Sequence, residues 1–323
     1  MRSATVGAGV RPGPAVAAVL TVLAAPAFFV AELPLLGIAL LAGGLLVAWA
    51  VSRGGAGAVP VAGAASRAGV GAGPVAGSGA TAAPAGPAFP AGDGRGSGSA
   101  ARPPNLLRDL SLIAIGLLIV RTIPLAAELD DWSMVKFTLA LGGAVAVPYA
   151  ISRWVYRDRA TAFPWRGGGR WGRIHWSWLI AVLVLGWLIL PWYFISSGVY
   201  LNWPEVDDAD LIARLFIGVG AVGIWDELFF ICTVFTVLLR HFPPWLANVL
   251  QAIVFVSFLW ELGYRSWGPA LTVPFALVQG WIYLRTHSLA YVVTVHLLFD
   301  AVVFAVLVHA HNPHLFDVFV TVP

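Results

Sequence analysis

The feature that most constrains this chain is a series of apolar blocks, each about 20 residues long, separated by short segments that hold almost all of the charge. Twenty residues of helix rise ~30 Å, the thickness of a bilayer's hydrocarbon core. With no water there to satisfy the backbone, a chain of such blocks has to cross as helices. Composition agrees. Over 323 residues, hydrophobic types make up 59% and charged types 11%, against roughly a quarter charged in a water-soluble domain. The expected fold is therefore all-α, a polytopic transmembrane helical bundle of about nine spans with no β-sheet. A soluble protein with one very large core is the weaker reading.

The blocks place spans at about 14–31, 35–51, 106–125, 135–154, 176–198, 210–239, 245–263, 267–285 and 287–309. A second apolar block follows the first at once, so the first reads as a span and not as a cleaved signal peptide. Residues 52–105 are of another kind: Gly, Ala, Pro, Val and Ser with scattered Arg, and Phe89 as their one aromatic. Such a segment cannot bury enough surface to offset its ordering entropy, and it is expected to be a disordered linker. The chain then divides into a two-span hairpin (1–51), the linker (52–105), three accessory spans (106–209) and a four-span C-terminal unit (210–323). No internal repeat is evident. The lone Cys232 lies within a span and reads as a small buried hydrophobe.

Net charge is +3 and the pI near 9.3, but the basic residues sit in the gaps between spans, which excludes a nucleic-acid surface. Alternate gaps differ in sign. One set carries Arg11, Arg53, Arg157, Arg159, Arg166, Arg240 and Arg285 among others; the other carries Glu32, Glu128, Asp130, Asp131, Glu205, Asp207 and Asp208. By the excess of Arg on the cytoplasmic side, the N-terminus is expected in the cytoplasm and the C-terminus outside. Trp171, Trp176 and Trp178 at one end of the fifth span, and Trp192, Tyr193, Tyr200 and Trp203 at the other, fit two interfacial aromatic belts. Heavy Ala, Gly, Val and Arg usage with Lys136 as the only lysine is typical of a GC-rich bacterium, which places the chain in a bacterial cytoplasmic membrane.

Ionisable side chains at membrane depth cost a few kcal/mol or more and persist where they face the bundle interior and find partners. Five stand out in the last four spans: Asp226 and Glu227 in GIWDELFF, Glu261 in FLWELGYR, and His296 and Asp300 in VTVHLLFD. His296 and Asp300 are four apart and share a helix face. That spacing suits a metal pair, a hydrogen-bonded His–carboxylate, or two donors aimed at one substrate oxygen. Arg265, four residues beyond Glu261, is a candidate partner for it. Each such residue alone reads equally well as interhelical glue; five in four consecutive spans point to a site. His309, His311 and His314, at the end of the last span, read as surface histidines.

The stretch from Asp226 to Asp300 resembles the CPBP family of intramembrane proteases, the CAAX-protease and bacteriocin-processing (Abi) proteins. These carry Glu-Glu-x-x-x-Arg, Phe-x-x-x-His and His-x-x-x-Asn/Asp motifs in successive helices. The third motif matches as His296-Leu-Leu-Phe-Asp300, and the approach FALVQGWIYLRTHSLAYVVTVH, with Gly280 at mid-helix and the turn ending in Ser288-Leu289, follows the family's. The first motif departs from it, with Asp226 for the leading Glu and Ile231 for the Arg. In the second, the His position falls on Glu261 and the Phe position on Ser257, with Phe258 beside it. The resemblance covers roughly the last 115 residues (210–323).

What the resemblance implies is an endopeptidase cutting a membrane-associated peptide or protein. Asp226 or Glu227 would activate water, His296 would act as donor or base, and Asp300 would orient it. Glu261 in place of His leaves two arrangements open: paired with Arg265, or joined with Glu227, His296 and Asp300 as ligands of a divalent metal such as Zn. A catalytically inactive immunity or scaffold protein of the same fold, and a proton-coupled transporter, are the alternatives. The partners expected are the lipid bilayer and a peptide or protein substrate, and no nucleic acid. The substrate and the oligomeric state are not legible in the sequence.

Overall fold

The computed structural model describes residues 10–56, 104–126, 128–167, 169–315 and 319–321. Ten α-helices follow one another: α1 Pro12–Phe29, α2 Pro34–Ala56, α3 Leu106–Val120, α4 Asp131–Ala150, α5 Arg173–Ser196, α6 Ala209–Asp226, α7 Thr236–Leu239, α8 Pro244–Leu262, α9 Pro269–Thr286 and α10 Leu289–His311. No strand occurs among the described residues. A π-helical stretch, Glu227–Phe235, joins α6 to α7, so that Ala209–Leu239 forms one unbroken crossing. Another, Ile151–Tyr156, extends α4.

Seven helices among the described residues are long and apolar enough to cross a membrane. The chain is a helical membrane protein. Two of the nine expected spans do not meet that measure. α3 has 15 residues, about 22 Å of helix, short of the hydrocarbon thickness. α9 has 18 residues but carries Pro269, Pro274, Gln279 and Arg285, which lower its apolarity. Most of the segment read as a linker lies outside the described residues; its first residues, through Ala56, continue α2.

The exterior is apolar, as a lipid-facing surface has to be: Leu139 is 69% and Leu188 68% exposed. Trp176 and Trp192 are exposed near opposite ends of α5, where the aromatic belts were expected. Inside, Trp225 and Phe230 pack on Phe258 of α8, Phe229 stacks on Trp225, and Phe230 meets Phe255 edge-on. This aromatic pile fixes the α6–π crossing against α8. α1 lies along α2 and α8, α9 packs on α8, and α10 packs on α5 and α6.

The two ends of the bundle are tied differently. At the arginine-rich end, the fully buried Asp109 of α3 accepts from Arg240 Nη1 at 3.1 Å and contacts His241 Nε2 at 2.6 Å. Arg240 also lies 3.6 Å from Asp158, to which Ser152 Oγ is bonded at 3.1 Å. The loop after α4 then straps across the start of α10: Leu289 N donates to Pro164 O at 2.9 Å and Ala290 N to Trp165 O at 3.4 Å. At the acidic end, Arg214 bridges Asp131 and Asp210, and Asn202 Nδ2 donates to Gly263 O at 3.1 Å.

Two sequence expectations change here. Glu261 does not pair with Arg265. It faces Arg121 Nη1 at 3.5 Å and the Leu125 backbone N at 3.5 Å, whereas Arg265 lies 4.0 Å from Glu32. The last turn of α8 points Glu261 toward the α3–α4 connection, which sequence separation hides. His309 is not a surface residue. It is 1% exposed and bonded through Nε2 to Thr321 O at 3.1 Å, because the chain beyond α10 folds back over it.

Candidate active site

Where α6 ends, Asp226 is the last residue with α-helical pairing, and from Glu227 the hydrogen bonds run i to i+5. Thr233 Oγ1 bonding back five residues to Leu228 O at 3.1 Å belongs to the same widened turn. Such bulges are frequent at functional sites because they re-aim side chains that a regular helix would hold in register. Here both Asp226 and Glu227, neighbours on the chain, reach the same imidazole.

That imidazole is His296, in the second turn of α10. Its Nδ1 lies 2.8 Å from Glu227 Oε1, and its Nε2 lies 3.4 Å from Asp226 Oδ2 and 3.9 Å from Asp300 Oδ1. All four residues are buried. Asp300 reaches the cluster because α6 carries Gly223 opposite it: a Cβ at Gly223 would overlap the Asp300 carboxylate. Ser288 caps α10 by accepting from Tyr291 N at 3.3 Å, which fixes where the helix starts and so the heights of His296 and Asp300.

A fifth residue, which the sequence reading missed, completes the cluster. Gln279 of α9, 3% exposed, donates through Nε2 to Glu227 Oε1 at 2.8 Å and to Val292 O at 3.1 Å. Its signal was available: an amide at mid-helix in an apolar block, where an unpartnered polar group is costly. An amide carries no charge, so it stands outside the cost that marks the ionisable residues at membrane depth. Glu227 Oε1 thus accepts from two sides. With Nδ1 bonded to Glu227, Nε2 is the ring nitrogen turned toward Asp226 and Asp300.

Asp226, His296 and Asp300 line one end of a cavity of about 330 Å³, while Glu227 and Gln279 lie outside its lining. The remaining walls are mainly apolar and come from α4, α6, α8 and α9, with Phe137, Leu141, Val222 and Phe275 among them. Asp226 Oδ1 and Asp300 Oδ2 are buried without a hydrogen-bond partner. Tyr264, just past α8, lines the same cavity. Burial, with the Asp300 and Asp226 charges nearby, holds its phenol well above the usual value, so it stays a neutral hydroxyl.

Glu261 is absent from the cavity lining. The α8 residues that face the cluster are Phe255, whose ring centroid is 6.1 Å from that of His296, and Leu259 one turn on. Phe255 and Leu259 stand two residues before Ser257 and Glu261, on which the sequence places the Phe-x-x-x-His motif. The metal set Glu227, Glu261, His296 and Asp300 is not assembled either: no group of three or more His, Cys, Asp or Glu side chains among the described residues could hold an ion.

Residues 208–302 match the family model of type II CAAX prenyl endopeptidase Rce1-like proteins. This segment is similar to Rce1-like proteins. It holds Asp226, Glu227, Gln279, His296 and Asp300, and it agrees with the resemblance drawn from the His296–Asp300 motif. The match begins two residues before the expected C-terminal unit, and the first five spans of the nine-span reading lie outside it. No curated protein and no solved structure gives a significant match to the chain.

Proposed function

We propose that the chain is an intramembrane endopeptidase of the Rce1-like kind, hydrolysing a peptide bond of a membrane-associated peptide with water activated by Asp226. The observation that carries this reading is the division of the buried cluster. Glu227 and Gln279 hold one side of His296, while Asp226, His296 Nε2 and Asp300 face an apolar-walled cavity. A base must sit within reach of the proton it removes, and a second group must manage the charge that develops on the carbonyl oxygen.

In the proposed step Asp226 takes a proton from water as the oxygen adds to the scissile carbonyl. His296, steadied by Glu227, donates from Nε2 when protonated, either to the oxyanion or to the departing amine. Asp300 keeps the imidazole ring turned toward the cavity, and the Tyr264 hydroxyl is a further neutral donor on its wall. The C–N bond breaks as the amine receives the proton. Every step uses side chains of this chain, and none is routed through a metal. The apolar walls suit a substrate with a hydrocarbon or strongly apolar flank next to the scissile bond, in keeping with the prenyl endopeptidase of the family description. The bilayer of a bacterial cytoplasmic membrane, with the N-terminus inside, is the proposed setting.

A second reading has an observation of its own. On the sequence placement of the motifs, Glu261 and Ile231 stand where the family has His and Arg, which favours an inactive immunity or scaffold protein of the same fold. The two are separated by assaying the purified full chain in nanodiscs against a peptide library that includes prenylated peptides, beside His296→Ala and Asp226→Asn. Cleavage that both variants abolish supports the peptidase. Cleavage no greater than that of the variants removes it in favour of the scaffold.

A further inference from the structure

We infer that Asn248 and Gln251 of α8 are positioning residues for His296: they set the height and rotation of α9, and through it the Gln279–Glu227 bond that holds the ring. This rests on the peptidase reading for its use, though not for its geometry.

α8 and α9 pack along each other, and two amides within the apolar α8 make the tie. Asn248 Nδ2 donates to Leu277 O of α9 at 2.8 Å. Gln251, 1% exposed, donates through Nε2 to Ala276 O at 3.0 Å and to Asn248 Oδ1 at 3.0 Å. The two residues are three apart and share one face of α8. Both reach backbone carbonyls, so what they fix is the path of α9 itself. Gly280 of α9 sits against them: a Cβ there would overlap Asn248 Oδ1, so glycine is what lets the helices come this close. Pro274 takes one N–H out of the α9 ladder ahead of this turn, which leaves the half carrying Gln279 more dependent on ties from outside.

The residue that adjoins Gly280 is Gln279, whose Nε2 donates to Glu227 Oε1 at 2.8 Å and to Val292 O at 3.1 Å. Glu227 in turn meets His296 Nδ1 at 2.8 Å. The same face of α8 continues to Phe255, whose ring centroid lies 6.1 Å from that of His296 and 6.1 Å from that of Phe275 on α9. Phe275 lies 5.1 Å from His296. α9 therefore acts on the imidazole twice, by the Gln279 amide through Glu227 and by the Phe275 ring directly. A slip of one residue along α9 would move it ~1.5 Å and turn it about 100°, enough to lose both Gln279 bonds. Polar side chains between membrane helices also serve as plain glue. Glue lowers stability when removed and leaves the ring where it was; a positioning role moves the ring.

The test uses the purified full chain in nanodiscs and a ¹⁵N-histidine spectrum, with His296 assigned by its loss in His296→Asn. Gln251→Met, which keeps the side chain's length, and Asn248→Ala are each expected to shift the His296 signal in the direction that Gln279→Leu shifts it, and by more than any other histidine signal moves. Gly280→Ala is expected to shift it too, by displacing Asn248, and Gly280→Ala/Asn248→Ala no further than Asn248→Ala alone. In the peptide assay kcat is expected to fall about tenfold to a hundredfold, as a misplacement of ~1 Å does, with KM within about twofold. A melting temperature that falls while the His296 signal holds its place overturns the inference, as do Gly280→Ala and Asn248→Ala shifts that simply add. The spectrum needs no cleavage, so an inactive chain whose His296 signal shifts removes the peptidase reading and keeps the positioning.

Discussion

At the residue scale, the site is a histidine held between carboxylates, and each side chain has a separable task. His296→Ala and Asp226→Asn remove the reacting groups, and each is expected to lower kcat by ~100-fold to 10,000-fold, read as initial rates in nanodiscs. Gln279→Leu keeps the volume and removes the donor to Glu227. It is expected to lower kcat by about tenfold or more with KM nearly unchanged. It should also alter the His296 signal in a ¹⁵N-histidine spectrum, assigned by its loss in His296→Asn, which a general loss of packing would not do selectively. Glu261→Gln is expected to leave kcat within about twofold. It would lower thermal stability by about 1 kcal/mol at most, because its partner Arg121 is part-exposed at 3.5 Å. A large loss of activity in Glu261→Gln would return that residue to the site.

At the element scale, function depends on how helices are cut and joined. Two adjacent carboxylates where α6 passes into the π stretch reach one ring from its two nitrogens, and Gly223 lets α10 come close enough for Asp300 to join them. Gly223→Ala is expected to push Asp300 away and reduce activity at least tenfold, while the helix itself, gaining Ala for Gly, loses no local propensity. Circular dichroism unchanged beside falling rates would show this; unchanged rates would refute it. At the arginine-rich end, Asp109→Asn leaves Arg240 facing Asp158 alone. Breaking a buried pair from one side costs roughly 3–5 kcal/mol, so a marked drop in the detergent melting temperature is expected.

At the scale of the whole molecule, the bundle has one tied end and one open end. The strap at Pro164–Trp165 and the Asp109–Arg240–Asp158 cluster close the arginine-rich side, and the groove opens between α4 and α6 toward the acidic loops. A disulfide or bifunctional thiol crosslink joining Thr138→Cys to Ala221→Cys, both exposed on that groove, is expected to block peptide entry reversibly. Activity that persists at full crosslinking would show that substrate uses another route.

Much of this was legible in the sequence because membranes constrain sequence so strongly. Block length and charge placement determined an all-α membrane bundle, and the cost of burying ionisable groups in lipid singled out Asp226, Glu227, His296 and Asp300 before any contact was known, together with Glu261, which lies apart from them. The His296-Leu-Leu-Phe-Asp300 spacing carried the family resemblance on its own. Only the tertiary structure decided the rest, because a side chain's partner across helices is not encoded in its neighbours along the chain. The last turn of α8 sends Glu261 to Arg121 and presents Leu259 to the cavity. The packing of α9 brings Gln279 to Glu227 from 52 residues away. Asp226 and Glu227, about 100° apart on a helix, both meet His296 because α10 places the ring between them, one carboxylate at each nitrogen.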